Sequence, residues 1–459
     1  MNAKQQLIVK NVDAHRQEIL DAERWIWKHP EVGFTEWQTN AYLAEKFEAM
    51  GYQLVKAYED PRFGKIPGFY TDIDTGKPGP TLCIMGELDA LDIANHPESV
   101  NGMTHCCGHN CQSSTMLGIA LALKEPGALD GLSGRIRLML VPAEEMIQLA
   151  YREQLIREGV ISYMGGKVEF LHRGYFDGVD LALMVHTEVL PEGTDFYGVK
   201  GYNGSIPKVI TYKGKSSHAG MAPHKGINAQ YAAMLGLQAC NDLRETLQEK
   251  DCIRFHPIMK GVNCAVNIIP DEMVIESFVR GTNLEAMIRE NTKFNRALTG
   301  GALAMGAGVH ISDRPGYSPE IHDPQFSELC AECCGDLVGK DRVNFGDDWD
   351  SGSSDFGDVT CVMPGVQIYG GGASGACHGT NFEVTDPEKA TLTSAKAQLF
   401  IADALLSNGA EKAKKIVAEY DATFASIKDY FDCINKLIMD KDTVVYDENG
   451  NATVDFQNV

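Results

Sequence analysis

The sequence predicts an α/β fold, in which a mixed-sheet main domain carries a smaller inserted α+β domain. Short apolar runs alternate with helical segments over much of the chain, and the texture changes between about residues 204 and 309. A length of 459 residues also exceeds the roughly 250 to 300 residues at which a single core stops growing. We therefore predict a main domain from residues 1–203 and 311–459, interrupted by an insert over residues 204–310.

The elements of the main domain follow in order. Apolar residues recur at helical spacing over residues 9–48, with Pro and Gly interrupting them at residues 29–33. Apolar runs then predict three strands, and the segments between them predict helices. The strands are residues 81–85, 136–141 and 181–185, and the helices are residues 113–123 and 146–158.

The insert is predicted to be a strand-helix-strand-strand-helix series, the pattern of a ferredoxin-like unit. The predicted elements are a strand at 208–213, a helix at 228–247, strands at 265–269 and 273–280, and a helix at 284–298. The chain then returns to the main domain through residues 348–372 and a helix at 387–406. We expect the last fifty residues to form a C-terminal helical extension followed by a polar tail.

Charge and cysteine content exclude several classes of protein. A formal net charge of -22 argues against nucleic-acid binding, which needs clustered Lys and Arg. No apolar stretch approaches the roughly 18 residues of a membrane span, and no signal peptide is evident at the start. The 13 cysteines then indicate reduced thiols. We expect a cytoplasmic protein with no membrane and no nucleic acid among its partners.

Each of the three predicted strands runs directly into a polar cluster. These clusters are residues 86–89, 142–145 and 186–188. In open α/β sheets, ligands bind at the carboxyl ends of strands, because the loops there converge on one crevice. The sequence therefore predicts a single site built from all three clusters.

Cys107 and His109 flank Gly108 and could bind a metal together, since alternating positions on an extended loop point the same way. Taken alone, a buried Cys beside a surface His is the more common arrangement. Glu144 and Glu145 are costly at the end of an apolar strand unless they meet a cation, although a solvated helix start would also explain them. His186 and His378 complete a set of Cys, His and Glu, though each His taken singly is more often structural.

The ordered motifs resemble metallopeptidase family 20, in its aminoacylase and amidohydrolase branch. This branch includes plant auxin-conjugate hydrolases, hippurate hydrolases and p-aminobenzoyl-glutamate hydrolase, and the resemblance covers most of the chain. The motifs that carry it are His29-Pro30-Glu31-Val32-Gly33, Asp74-Thr75-Gly76, Glu87-Leu88-Asp89, Cys107-Gly108-His109, Glu144-Glu145, His218-Ala219-Gly220, Asn267-Ile268-Ile269-Pro270 and His378.

The resemblance implies a di-metal catalytic domain with an inserted lid or dimerisation domain. Two divalent metal ions, zinc or manganese, would be held by five side chains, with Glu144 as the general base. The implied metal ligands are Cys107, His109, Glu145, His186 and His378.

Three further positions match residues that act on the substrate in this family. His218 would reach the site of the other subunit in a homodimer to stabilise the oxyanion, with a merely structural His as the alternative. Asn267 and Arg280 would hold the substrate carboxylate, although Arg280 could equally pair across a sheet.

The sequence also departs from the family pattern. Asn110 and Gln112 stand where close relatives often have Asp and His, Glu87 replaces the usual Asp, and about 40 residues separate Glu145 from His186. These departures favour the branch of p-aminobenzoyl-glutamate hydrolase. Residues 353–358 resemble an acidic loop beside the site, where Asp355 is expected to contact substrate. Asp355 or Asp89 could instead orient a metal-bound His, and both could be turn residues.

The favoured hypothesis is an amidohydrolase that releases an amino acid from an N-acyl or N-aroyl conjugate. A dipeptidase or aminoacylase with the same machinery is the near alternative, because specificity depends on pocket shape. A metal-bound but non-catalytic partner subunit is the alternative from another class, and the presence of Glu144 argues against it. A thiol enzyme using Cys106 or Cys107 would need a His paired for proton transfer.

Overall fold

The structure, a computed structural model, describes residues 1–262 and 264–455. Asn263, within the predicted insert, and the last four residues of the predicted tail lie outside the described residues. The α-helices are α1 (Ala3–Ala14), α2 (Arg16–Trp27), α3 (Trp37–Ala49), α4 (His109–Lys124), α5 (Leu149–Arg157), α6 (Gly166–His172), α7 (Ala229–Asp242), α8 (Leu284–Met305), α9 (Pro324–Val338), α10 (Phe356–Thr360), α11 (Ser394–Leu406), α12 (Glu411–Glu419) and α13 (Ile427–Ile434). The strands are β1 (Val55–Lys56), β2 (Phe69–Asp74), β3 (Thr81–Glu87), β4 (Leu91–Asp92), β5 (Met103–Thr104), β6 (Arg135–Val141), β7 (Leu181–Thr187), β8 (Phe196–Gly198), β9 (Gly201–Tyr202), β10 (Gly204–Lys213), β11 (Arg254–Phe255), β12 (Ile258–Gly261), β13 (Glu272–Gly281), β14 (Gly308–Asp313), β15 (Glu320–Ile321), β16 (Val343–Phe345), β17 (Trp349–Asp350), β18 (Gly365–Gly370), β19 (Ala373–Ser374), β20 (Glu383–Val384), β21 (Met439–Tyr446) and β22 (Ala452–Val454).

The main domain is built on an eight-stranded mixed sheet with the order β1-β2-β6-β3-β7-β18-β8-β16. Its centre is parallel, since β3 pairs in parallel with β6 and β7, and β7 with β18. The outer strand β2 runs antiparallel to β6. The predicted α/β mixed-sheet class is confirmed, and the carboxyl ends of four central strands meet at one edge.

Both faces of this sheet are covered, which explains why its central strands are apolar throughout. Along β3, Leu82 and Ile84 belong to the core on one face, while Cys83 and Met85 belong to the core on the other. This alternation follows from the two-residue period of a strand. Because the sheet is buried on both sides, the polar residues at its carboxyl edge are anchored by a rigid support.

The insert is a second sheet with the order β11-β13-β10-β14-β21-β22, and β12 also pairs with β13. Helices α7 and α8 pack against each other and share a core with this sheet. Starting from β10, the strand and helix sequence and the strand order are those of a ferredoxin-like unit. The inserted α+β domain that the sequence predicts is therefore present.

Two predicted elements are wrong. Residues 265–269 form a turn that makes one isolated bridge from Ile268 to His218, and β12 occupies the predicted strand's place beside β13. The C-terminal extension contains the helices α12 and α13, but the predicted polar tail includes β21, which pairs with β14 and extends the small sheet. An alternation of charged and apolar residues in β21 suits an outer strand with one solvated face.

No helix among the described residues is both long and apolar enough to cross a lipid bilayer.

Candidate metal centre and active site

Four of the predicted metal ligands lie within direct contact distance of one another. The Cys107 Sγ is 3.3 Å from His186 Nε2 and 3.3 Å from His378 Nε2. His378 Nε2 is also 3.0 Å from Glu145 Oε1. These side chains come from four separate loops and strands, and the edge of the main sheet brings them together.

His109 is the first residue of α4, and its position depends on the glycine before it. Gly108 has φ +79, and a Cβ there would lie only 2.9 Å from the Thr187 Cβ, so a larger residue would be strained and crowded. The His109 Nδ1 lies 3.1 Å from Asp89 Oδ1, and Asp89 Oδ2 accepts a hydrogen bond from the Glu145 backbone N–H at 2.8 Å. Asp89 therefore lies where it can orient one imidazole and fix the Glu145 loop.

The Glu144-Glu145 pair follows a strained backbone position, because Ala143 adopts a left-handed φ of +57. Two buried side chains support the turn from beneath. The Tyr317 hydroxyl donates to the Glu144 carbonyl oxygen, and the Arg152 guanidinium donates to the Glu145 carbonyl oxygen. The turn is thus held in a conformation that presents both carboxylates to the centre.

The two adjacent carboxylates have opposite pKa shifts. Burial raises the pKa of Glu144 well above its ordinary range, and the charges of Glu87 and Glu145 add to this effect. Burial also raises the pKa of Glu145, but the hydrogen bond and charge of His378 outweigh it and bring the pKa to about 2. Neighbouring carboxylates with separated pKa values are the arrangement that assigns one to proton transfer and the other to a permanent charge.

Lys167 is a component of the site that the sequence did not reveal. Its ammonium is fully buried and donates to Glu87 and to Asp355. Burial alone would raise the pKa of Glu87, but Lys167 and the imidazoles of His109 and His186 lower it to about 2. Glu87 in turn lies 3.2 Å from His109 Nε2. The unusual interval between Glu145 and His186 therefore contributes a cation to the site.

The expected contact between Asp355 and substrate is wrong. Asp355 is completely buried, and one carboxylate oxygen bonds the Lys167 ammonium while the other accepts the Lys167 backbone N–H at 2.7 Å. Among the described residues that line the central cavity, Asp355 is not included. Its neighbours Ser353 and Ser354 take that place, and Asp355 positions Lys167 instead.

A cavity of about 380 Å³ opens directly onto the cluster. Arg280 lies in its wall, with its guanidinium 5.5 Å from the Phe278 ring centroid and its Nη1 3.4 Å from Ser353 Oγ. The buried Arg280 Nε has no hydrogen-bond partner among the described residues. The residues that line the cavity are Leu91, Cys107, Glu144, Glu145, Met146, Ile147, His186, Glu188, Tyr202, Ser205, Phe278, Arg280, Tyr317, Asp350, Gly352, Ser353, Ser354, Gln367, Tyr369, Cys377 and His378.

His218 and Asn267 lie elsewhere, on exposed loops of the insert. They are neighbours, since Ala219 N–H donates to the Asn267 carbonyl oxygen at 2.9 Å. The His218 Nδ1 accepts the Met221 N–H at 3.0 Å, so its Nε2 points away from the loop. Neither residue is among the described residues lining the cavity. Within one chain, the fold does not bring these two residues to the cluster.

The cluster fits divalent metal ions. Three overlapping groups have ligand atoms within 4.8 Å of one another: Cys107, His109 and His186; Cys107, Cys377 and His378; and Glu87, His109 and Glu144. The buried His186 Nδ1 and His109 Nε2 have no hydrogen-bond partner among the described residues, which is costly unless something else binds them. Mixed sulfur, nitrogen and oxygen donors suit zinc and related transition metals.

Cys377 is the second residue near the ligands that the sequence did not reveal. Its Sγ lies 3.8 Å from the Cys107 Sγ. The only signal in the sequence was its position directly before His378. Strand periodicity would place two consecutive side chains on opposite sides, so it offered no reason to assign both to one centre.

Comparison with known proteins gives a consistent result. The family described as peptidase family M20/M25/M40 matches residues 83–400. The chain is 26% identical to the Xaa-Arg dipeptidase of Mus musculus, over 78% of this chain and 78% of that protein. It is 25% identical to one of the two p-aminobenzoyl-glutamate hydrolase chains of Escherichia coli (strain K12), over 72% of this chain and 72% of that one.

Among solved structures, the fold is similar to a dinuclear metal-binding peptidase of the M20 family from Bacillus subtilis. The TM-score is 0.62 at 22% sequence identity, with 86% of this chain and 99% of that chain covered. At this identity the likeness concerns the fold alone.

Proposed function

Because the chain belongs to peptidase family M20/M25/M40 and is a hydrolase of that family, we propose that it cleaves an amide bond next to a free carboxylate. The substrate class is N-acyl or N-aroyl amino acids, including conjugates of the p-aminobenzoyl-glutamate type. One observation carries this proposal: the proton-holding Glu144 and the guanidinium of Arg280 face the same cavity beside the ligand cluster. A catalytic carboxylate and an anion clamp would then act on one molecule.

Two divalent metal ions, zinc or manganese, would be held by the five ligands that the family resemblance implies. Their atoms are already grouped, and the donor set is chemically suitable. When bound, such ions supply Lewis-acid polarisation of the amide carbonyl. The ligands are Cys107, His109, Glu145, His186 and His378.

The remaining steps belong to the protein's own side chains. Glu144 would take a proton from the attacking water at its carboxylate and deliver that proton to the leaving amine. The raised pKa of Glu144 suits this exchange, since a group that both takes and releases a proton works best near the operating pH. The Arg280 guanidinium, with its unpartnered Nε, would bind the free carboxylate and set which amide faces Glu144.

The insert, residues 204–310, would act as a lid and dimerisation domain. His218 and Asn267 would reach the site of a second copy in a homodimer, where His218 would stabilise the oxyanion and Asn267 would help to bind the carboxylate. Their exposure within one chain supports this, as do the exposed apolar side chains nearby. Met221 is 81% and Val266 103% exposed, which is unusual for apolar residues with no further partner.

The first test measures amino-acid release from a panel of N-acyl, N-aroyl and dipeptide substrates with metal-loaded enzyme. We expect Glu144→Gln to lower kcat by about 10²- to 10⁴-fold, the usual range for a lost general base, while metal content stays at two ions per chain. Gln keeps the shape of Glu, so the folded state should survive. Turnover that persists in this variant would contradict the assigned role of Glu144.

A second test addresses the role of His218 in the partner's site. Glu144→Gln and His218→Ala homodimers are each expected to be nearly inactive. Unfolding and refolding them together would produce mixed dimers in which one site has Glu144 from one chain and His218 from the other. Equal mixing should restore about a quarter of wild-type activity, because half of the dimers are mixed and each has one complete site. No recovery would show that His218 does not act between subunits.

A dipeptidase that prefers a basic residue is the second candidate. Two acidic side chains, Glu188 and Asp350, line the same cavity as Arg280. Burial raises the pKa of Glu188 to about 7, and the Asp350 charge contributes to this shift. A cationic substrate group would relieve that repulsion. Faster release from dipeptides ending in Arg or Lys than from N-aroyl glutamate would favour this candidate.

The remaining proposals concern setting and class. We place the protein in the cytoplasm, because all 13 of its cysteines are free, as expected of a reducing compartment. A non-catalytic partner subunit stays an alternative. Two bound metal ions with no turnover on any substrate of the panel would favour it over the enzyme.

A further inference from the structure

Cys377 lies against the ligand cluster without belonging to the implied five-ligand set. Its Sγ is 3.8 Å from the Cys107 Sγ, and Cys377 lines the same cavity as the other ligands. His378, the next residue, places its Nε2 3.3 Å from the same sulfur. Three donors that could share one ion are therefore already in contact around Cys107.

The separation of the two sulfur atoms matches a shared tetrahedral metal. With a Zn–S bond of about 2.3 Å and a tetrahedral angle of about 109°, two thiolates on one ion lie about 3.8 Å apart. We propose that Cys377 is a further thiolate ligand, so that one ion is held by Cys107, Cys377, His378 and Glu145. The proposal rests on the metal site inferred above and adds a residue of this chain to it.

The backbone explains how consecutive residues can both reach the ion. His378 has a left-handed φ of +60, which breaks the alternation that would send its side chain and that of Cys377 to opposite sides. The His378 N–H also donates to the Cys106 carbonyl oxygen at 2.9 Å, which holds this segment against the Cys107 loop. A strained residue fixed in this way is expected where geometry serves a site.

The additional thiolate would make the two ions unequal. Binding requires each thiol to release its proton to solvent. A set of two sulfurs, one nitrogen and one oxygen closes a four-coordinate site and favours zinc over manganese. The other ion, near His109 and His186, would keep fewer protein ligands and stay open to water and substrate. Cys377 would therefore anchor the first ion.

The test uses cobalt(II) as a spectroscopic probe of thiolate ligation in the full-length protein, with a non-thiol reductant present. Wild type, Cys377→Ser and a control, Cys264→Ser, are loaded with cobalt(II) chloride, and bound cobalt is counted by mass spectrometry. Cys264 is an exposed cysteine of the insert, remote from the cluster. We expect the sulfur-to-cobalt charge-transfer band to fall by about half in Cys377→Ser and to stay unchanged in the control.

Zinc affinity gives a second measurement, by competition with a chromophoric chelator. Losing an outer partner already lowers metal affinity by about 10- to 100-fold, so the loss of Cys377 as a ligand should weaken the tighter zinc site by at least about tenfold. Two cobalt ions with an undiminished band in Cys377→Ser would overturn the role of Cys377 alone. A wild type that binds no cobalt would overturn the metal site itself, and this proposal with it.

Discussion

Lys167 in the main domain and Lys208 in the insert are both fully buried, yet their pKa values shift in opposite directions. Burial lowers the pKa of either ammonium, but Lys167 lies against the carboxylates of Asp355 and Glu87, and these raise its pKa. Lys208 faces only one carboxylate, that of Asp313, and burial keeps its pKa below the ordinary value. The number of buried carboxylates around each lysine decides the sign.

This difference distinguishes a site from a structural ion pair. In the insert, Lys208 and Asp313 satisfy each other, with the amides of Asn291 and Asn295 completing the group. In the main domain, five buried acidic residues lie at the site, and the one ammonium of Lys167 cannot balance them. Further cations are needed there, and metal ions would supply that charge. The acidic residues are Glu87, Asp89, Glu144, Glu145 and Asp355.

Replacing Lys167 should have the largest effect. Lys167→Met leaves Glu87 and Asp355 buried without their cation, and removing one partner of such a group costs about 3 to 5 kcal/mol of unfolding free energy. Urea unfolding checks this value. Lys208→Met is the matched control: it should lose comparable stability but keep metal stoichiometry and kcat. Equal loss of activity in both variants would remove the distinction between the two regions.

Metal removal should act on the main domain alone. An ion at 100 to 1,000 times its dissociation constant stabilises the folded state by about 2.7 to 4.1 kcal/mol. Chelation should therefore lower Tm, and hydrogen exchange should rise around β7 and α4 while β10 and β13 stay protected. Cys107→Ser, which lacks a central ligand, should show a much smaller Tm change on chelation. Equal deprotection of both sheets would contradict a local effect.

Asp358 tests whether a buried carboxyl with only neutral donors behaves differently from those beside Lys167. Burial raises its pKa to about 7, although Tyr430 and Ser318 donate to it. A raised folded pKa stabilises the protein fully below the unfolded pKa of about 3.9, and this contribution is lost as pH rises through about 7. Between about pH 5.5 and 7, wild type should lose about 2 kcal/mol more than Asp358→Asn.

This pH dependence is measured by urea unfolding of chelated protein, so that metal release does not contribute. Parallel stability curves for wild type and Asp358→Asn would show that Asp358 titrates normally in the folded protein.

The smallest effect on stability is expected at the exposed surface of the insert. Met221→Ser should change unfolding free energy by no more than about 0.5 kcal/mol, because a residue 81% exposed contributes little to the fold of one chain. It should nevertheless weaken self-association in sedimentation experiments if this loop lies in the dimer. Unchanged association would locate the dimer contact elsewhere.

Errors in the sequence-based predictions came from short segments whose pairing is not local. Residues 265–269 have strand-like composition, yet residues 258–261 pair with β13 instead. The polar alternation of β21 looked like a tail because its partner β14 lies about 130 residues earlier in the chain. Strand propensity depends on which neighbour a segment meets, so it could not decide either case.

The α/β class, the family and the inserted domain could be predicted from the sequence, because apolar periodicity and ordered motifs are local properties. The motifs also identified four side chains that contact one another at the centre, namely Cys107, Glu145, His186 and His378. The three-dimensional fold was needed to place Lys167 between Glu87 and Asp355, and Cys377 beside Cys107. Charge balance and donor distances are set by segments remote in sequence, and folding alone brings these segments together.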